Sequence, residues 1–226
     1  RVHRTISSTR MDIKIANVTI ENKITNILEP LASIAYSLGF EYHHGLIELM
    51  WKEIMKNHAH DSISCCCTDQ VHREIMARFE LAHDKADKLI DFYKRKIVDA
   101  VKDKEGMDKL TVFNLLPYER TEEVETKIRL RGGNFTIYNK DGKEIPYYVK
   151  EKKELDPGLI DRQIVHYGNY DPFHEFLIQF SAENIPPMGY ETFYIKYNTG
   201  NEGLKEIKEE KAFIENKYYK ITVNSN

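Results

Sequence analysis

Val71-His72-Arg73-Glu74-Ile75-Met76-Ala77-Arg78-Phe79-Glu80-Leu81-Ala82-His83-Asp84-Lys85-Ala86-Asp87-Lys88-Leu89-Ile90-Asp91-Phe92-Tyr93 opens a stretch that runs on to Ala100. Its apolar positions Val71, Ile75, Phe79, Ala82, Ala86, Leu89, Tyr93, Ile97 and Ala100 recur in steps of three and four. That period paints one face of an α-helix. Thr68 stands where an N-cap belongs. Glu74 with Arg78, Asp84 with Lys88 and Asp91 with Arg95 sit four apart on the polar side, where each pair adds only about 0.2–0.5 kcal/mol and reads as a solvated face.

Two further helical patterns precede it. From Asp12 to Leu38 the stripe is Ile13, Ala16, Ile20, Ile24, Ile27, Leu28, Leu31, Ile34, Ala35 and Leu38, stopped by Gly39. Pro30 lies inside this run and removes one backbone donor, so a kink or restart is predicted near Glu29. Leu46, Ile47, Met50, Trp51, Ile54 and Met55 form the second pattern, which ends near Asn57. Three amphipathic helices joined by short loops would bury their stripes against one another as an antiparallel bundle.

After Gly106 the period shortens to two. Val124, Thr126, Ile128 and Leu130 alternate with charged residues, and Phe176, Ile178 and Phe180 alternate likewise, as half-buried strands do. Asn139-Lys140-Asp141-Gly142 between two β-rich runs predicts a hairpin turn. Further strands are expected at 109–116, 164–167, 192–197 and 218–223, and Gly132-Gly133 reads as a turn. The fold class is therefore α+β and multidomain: an antiparallel three-helix bundle followed by a partial antiparallel β-sandwich.

With 226 residues, 41% of them hydrophobic, the chain can build one or two cores, and the change of period near residue 106 favours two. A net charge of -3 with interspersed signs supplies no field for nucleic acid. No apolar run approaches the ~20 residues of a membrane span. The first residues, Arg1-Val2-His3-Arg4-Thr5, lack both a Met and the apolar core of a secretory signal, which points to an internal piece of a larger protein. All three cysteines are contiguous, Cys65-Cys66-Cys67, and cannot staple distant segments, so a reducing, cytoplasmic setting is expected.

Chemistry concentrates in Asn57-His58-Ala59-His60-Asp61-Ser62-Ile63-Ser64, between two helical patterns. On a helix His58 and His60 would diverge by about 200°. On an extended loop residues two apart face the same way, so a loop would aim both outward. An imidazole suits zinc and similar divalent ions, and a neighbouring carboxylate such as Asp61 can orient the ring, ligate, or accept from sugar hydroxyls. Spacing alone leaves other readings open: capping of helix ends, a small zinc site from His58, His60, Cys65, Cys67 and His72, or a Cys-His nucleophile. Lys205 to Lys211 reads as a solvated charged loop.

The run Trp51-Lys52-Glu53-Ile54-Met55-Lys56-Asn57-His58-Ala59-His60-Asp61-Ser62-Ile63-Ser64, with Asp69-Gln70-Val71-His72-Arg73-Glu74, resembles the middle helical domain of glycoside hydrolase family 38, the α-mannosidases, in the bacterial branch that includes mannosylglycerate hydrolase. Ser8-Thr9-Arg10, Ile20-Glu21-Asn22 through Leu28-Glu29-Pro30-Leu31, Val112-Phe113-Asn114-Leu115-Leu116-Pro117 and Ile214-Glu215-Asn216-Lys217-Tyr218-Tyr219 are also similar to family sequences. The resemblance implies that residues 1–9 are the tail of a catalytic barrel lying outside this chain. Residues 10–106 would then be the bundle, and 107–226 the start of a C-terminal β-sandwich. It implies retaining hydrolysis of an α-mannoside, with the nucleophile and acid/base carboxylates in the barrel of the same polypeptide. His60 would be one ligand to zinc or another divalent ion, while Asp61 and Arg10 would bind substrate. No nucleic acid or membrane enters this reading, and a homo-oligomer is compatible with it. A noncatalytic carbohydrate-binding or interaction module is the alternative.

Overall fold

The computed structural model describes residues 8–131, 133–155, 173–197, 213–215 and 217–222. They form two compact units: residues 1–122 with 182–194, and residues 123–181 with 195–226.

In the first unit the helical patterns become α1 (Met11–Lys23), α2 (Glu29–Ser37), α3 (His44–Met55), α4 (His60–Ser64) and α5 (Asp69–Ala100). A π-helical turn, Ile24–Leu28, joins α1 to α2, and a 3-10 turn, Lys56–His58, follows α3. The expected three helices are thus subdivided, and α1, α2 and α3 each pack on α5. Pro30 explains the first subdivision. Its ring would collide with the carbonyl of Asn26 in a regular α-helix. Widening the preceding turn, so that the Glu29 N–H reaches back to the Ile24 carbonyl, removes the collision without ending the helix.

Gly39 closes α2 in the left-handed region at φ 91. Its N–H donates to Tyr36 O at 2.9 Å and that of Phe40 to Ala35 O at 3.1 Å, the paired bonds of a Schellman end. Thr68 caps α5, its hydroxyl accepting from the Val71 N–H at 3.4 Å. The buried face of α5 is Ile75, Phe79, Ala82, Ala86, Ile90, Tyr93 and Ile97. Ile90 takes the inward place foreseen for Leu89, which is half-buried, while Val71 and Ala100 at the helix ends are exposed. Ile13, Ile20, Ile24, Leu28, Leu31, Met50 and Ile54 complete this core. Each such side chain contributes about 1.5–3 kcal/mol by leaving water. Ile27 and Leu38, expected on that stripe, are exposed: Ile27 lies within the π turn, where the helical period is broken, and Leu38 is the C-cap of α2.

The same unit holds β1 (Met107–Asn114) and, as its neighbour, the first part of β7 (Gly189–Tyr197). The Thr111 and Thr192 hydroxyls meet at 2.9 Å. Phe113, Leu115 and Tyr190 lean on the helical core. Asn114, 1% exposed, donates to the carbonyls of Tyr118, Ile185 and Pro186 at 2.7, 3.2 and 3.0 Å. Its Oδ1 accepts from the Leu116 N–H at 3.1 Å.

In the second unit most of β2 (Arg120–Arg131), β5 (Tyr147–Leu155) and most of β6 (Phe173–Ile185) make a sheet ordered β2-β6-β5. β5 and β6 are antiparallel, from Tyr147 opposite Phe180 to Leu155 opposite Phe173, with an irregularity between Val149 and Glu151. Phe176, Ile178 and Phe180 are buried, as their alternation predicts, while Glu175 just before them accepts from Arg129 Nε at 2.9 Å. β3 (Phe135–Tyr138) and β4 (Glu144–Ile145) form the foreseen hairpin, Ile137 opposite Ile145. Gly142 takes φ 83 in its turn, and Asn139 Oδ1 accepts from the N–H groups of Asp141 and Lys143 at 3.0 and 2.8 Å. The Phe135 ring stacks on Tyr147 at 4.6 Å and meets Phe176 edge-on at 5.1 Å.

β8 (Phe213–Glu215), which the alternation did not foresee, pairs antiparallel with β9 (Lys220–Thr222), which lies within the strand expected at 218–223. The strand foreseen at 164–167, Gly132 of the predicted Gly-Gly turn and the charged stretch 205–211 lie outside the described residues. Among the described residues no helix is long and apolar enough to cross a membrane.

Candidate functional site at the α4 end of the helical unit

His58 and His60 do not share an extended loop. His58 closes the 3-10 turn, Ala59 at φ -51 and ψ 137 breaks it, and His60 begins α4. Two helical pieces joined by one extended residue send the imidazoles apart. His58 Nε2 turns to α1, 2.7 Å from Asn17 Oδ1 and 3.4 Å from Glu21 Oε1. His60 and Asp61 face solvent, their side chains 73% and 68% exposed, with Nε2 and Oδ1 3.2 Å apart.

The reason lies in how α4 is held. Ile63 packs against the helical core, so the opposite edge of this short helix faces outward. The Ile63 N–H bonds the Ala59 carbonyl at 2.9 Å, and the Cys66 N–H bonds the Asp61 carbonyl at 2.9 Å. Cys65 ends the helix in the left-handed conformation at φ 59. Below α4, Asn57 is fully buried: its amide donates to Ile75 O at 3.2 Å and its Oδ1 accepts from Arg78 Nη1 at 3.1 Å. The turn carrying the His-Asp pair is therefore bolted to α5 on one side and, through His58, to α1 on the other.

Arg10 sits at the start of α1 with φ 48, and its guanidinium bonds Asp69 Oδ1 at 3.1 Å. The Thr9 hydroxyl donates to Ser64 O at 2.8 Å, tying the segment before α1 to the end of α4. His72 Nε2 lies 2.7 Å from Asp12 Oδ2. Burial pushes the Asp12 carboxyl up, but the hydrogen bonds from His72 and from the Ile13 N–H outweigh it and hold Asp12 below the ordinary carboxylate range. Spacing could not reveal Asp12, Asn17 or Asp69 as partners, because each acts across about three-score residues or between separate helices.

Among the described residues no group of three or more His, Cys, Asp or Glu side chains is placed to hold a metal. His58 and His72 are engaged with Asn17 and Asp12, so the zinc set of His58, His60, Cys65, Cys67 and His72 is not assembled. Cys65 and Cys67 instead touch one another, Sγ to Sγ 3.5 Å. A zinc site takes about four donors. His60 and Asp61 supply two at most, so a metal fits here only where donors come from beyond these residues.

Comparison with known proteins bears on the same segment. The family model of the alpha mannosidase middle domain matches residues 1–97. A putative mannosylglycerate hydrolase of Halalkalibacterium halodurans is 40% identical over 74 residues, 33% of this chain and 8% of that protein. Two solved structures share the fold over 97% of this chain. They are an alpha-mannosidase from Enterococcus faecalis (TM-score 0.71, 22% identity, 27% of that chain) and a glycosyl hydrolase family 38 protein from the same organism (TM-score 0.70, 23% identity, 29% of that chain). The chain thus spans less than a third of each solved relative and a smaller share of the curated one. Residues 1–97 thus match the alpha mannosidase middle domain family, and the chain shares the fold of a glycoside hydrolase family 38 protein.

Proposed function

We propose that this chain is the helical and early β-sandwich part of a metal-dependent, retaining α-mannosidase, with His60 giving one ligand to a site completed by a catalytic barrel of the same polypeptide. The observation that carries this reading is the placement of His60 and Asp61 on the outward edge of α4, inside the segment matched by the middle-domain family. The side chains aimed outward are those the resemblance assigns to metal and sugar.

Asp61 would accept hydrogen bonds from sugar hydroxyls, and Arg10 would donate to sugar oxygens by exchanging its bond to Asp69. Two barrel carboxylates would carry the double displacement, one as nucleophile and one as acid and then base. Zinc or another divalent ion, when bound, would supply an electrostatic grip on sugar hydroxyls. What this chain contributes is positioning: α4, anchored by Ile63 and by the Asn57 bonds, holds the imidazole where a neighbouring surface can reach it. In this reading residues 1–9 end the barrel, 10–106 are the middle domain and 107–226 open the sandwich. The three free thiols fit a cytoplasmic setting, and a homo-oligomer remains compatible with it.

The test is His60→Ala in the full-length protein. Turnover of an α-mannoside should fall about 100-fold or more and bound metal should drop, with far-UV CD unchanged. Normal metal content and turnover would exclude His60 as a ligand.

A further inference from the structure

Cys65 and Cys67 are the remaining reactive cluster. Their sulfurs are in contact at 3.5 Å, both side chains are partly buried against the helical core, and Cys66 between them is exposed. The left-handed turn at Cys65 produces this geometry. It reverses the chain at the end of α4, so the side chains on either side of Cys66 come together and the one between turns to solvent. Contiguous cysteines in an extended strand would alternate faces, but nothing there would close the two outer ones to contact.

We propose that Cys65 and Cys67 form a reversible dithiol–disulfide pair that takes peroxide as oxidant. The Cys65 thiolate attacks one peroxide oxygen, the O–O bond breaks, and Cys65 sulfenic acid forms with loss of hydroxide. The Cys67 sulfur then attacks the Cys65 sulfur, the S–O bond breaks, and its thiol proton leaves with the departing oxygen as water. Two electrons pass from the two sulfurs to one peroxide. Burial pushes the Cys67 thiol up, followed by its contact with Cys65, which suits Cys67 to the resolving step rather than the first attack. Cys66 is the exposed bystander. A disulfide between adjacent residues would have to close a smaller ring than the Cys65–Cys67 one.

The pair also sits where oxidation would be felt. The Cys66 N–H holds the Asp61 carbonyl at 2.9 Å, and Ser64 O accepts from Thr9. Locking Cys65 to Cys67 therefore acts on the C-terminal end of α4, the short helix whose first residues are His60 and Asp61. The redox proposal itself does not depend on the mannosidase reading.

The experiment treats the whole chain with hydrogen peroxide, blocks remaining thiols with an alkylating agent, and maps the peptides by mass spectrometry. Loss of two of the three thiols, a Cys65–Cys67 crosslink, an alkylated Cys66 and recovery with dithiothreitol are the expected results. Cys66→Ser should keep the crosslink, and Cys67→Ser should abolish it while leaving a sulfenic acid trappable at Cys65. Crosslinking through Cys66 instead, either to a neighbouring cysteine or between two chains, would overturn the assignment. So would full retention of three alkylatable thiols in the folded chain, with far-UV CD confirming that each variant is folded.

Discussion

Asn57 lies beside two histidines that look chemically busier, yet it is the residue that decides where they stand. Its amide and carbonyl bridge the end of α3 to Ile75 and Arg78 of α5 inside the core. Asn57→Ala should destabilise the helical unit by about 1–3 kcal/mol, since the Ile75 carbonyl loses a buried donor and the half-buried Arg78 its acceptor. Urea denaturation followed by far-UV CD reads this directly, and a change under 0.5 kcal/mol would mean the bridge is dispensable. Asn114 has the same character in the β part of that unit, where its two amide hydrogens are shared among three carbonyls and its Oδ1 accepts one N–H. Asn114→Ala should cost at least as much, because several backbone groups lose their partner together.

At the scale of the element, α2 is bounded by two backbone devices. The π turn before Glu29 absorbs Pro30, and Gly39 closes the other end in the left-handed region. A Cβ at Gly39 would meet nothing within 4 Å, so Gly39→Ala isolates the conformational term from any clash. The expected loss is about 1–2 kcal/mol, seen as a lower urea midpoint with an unchanged denaturant slope. An Ala variant as stable as the parent would show that the Schellman bonds of Gly39 and Phe40 tolerate another conformation. α4 is too short to hold itself, and its position rests on Ile63 against the helical core and on the Thr9 hydroxyl donating to Ser64 O.

Tyr147 in the second unit ties the stability of the fold to alkaline pH. Its hydroxyl donates to the Phe135 carbonyl, the side chain is buried, and burial raises it from 10.0 to about 12. The folded state thus favours the protonated phenol more than the unfolded chain does. That contribution is complete below pH 10 and is lost as pH rises toward 12, in total about 2–3 kcal/mol by linkage. Unfolding free energy measured from pH 9 to 12 should fall more steeply for the parent than for Tyr147→Phe, and parallel curves would refute the assignment. A second prediction at this scale concerns catalysis: the 226-residue chain alone should not turn over an activated α-mannoside, because the proposed carboxylates belong to the barrel. Measurable hydrolysis by the pure chain would sink that reading.

The periods of α5, β2 and β6, the stop at Gly39, the cap at Thr68 and the hairpin at Gly142 were determined by sequence alone, because each depends on covalent geometry within a few residues. The resemblance carried by the run from Trp51 to Ser64 is local in the same sense. Which way His58 and His60 face was decided by tertiary structure, since it turns on whether α1 offers Asn17 to one ring and whether Ile63 finds the core. Asp12 with His72 and Arg10 with Asp69 lie 60 and 59 residues apart, and no spacing rule joins them. Those contacts exist because α1 and α5 bury their stripes against each other, which brings their polar ends into register as a consequence of packing.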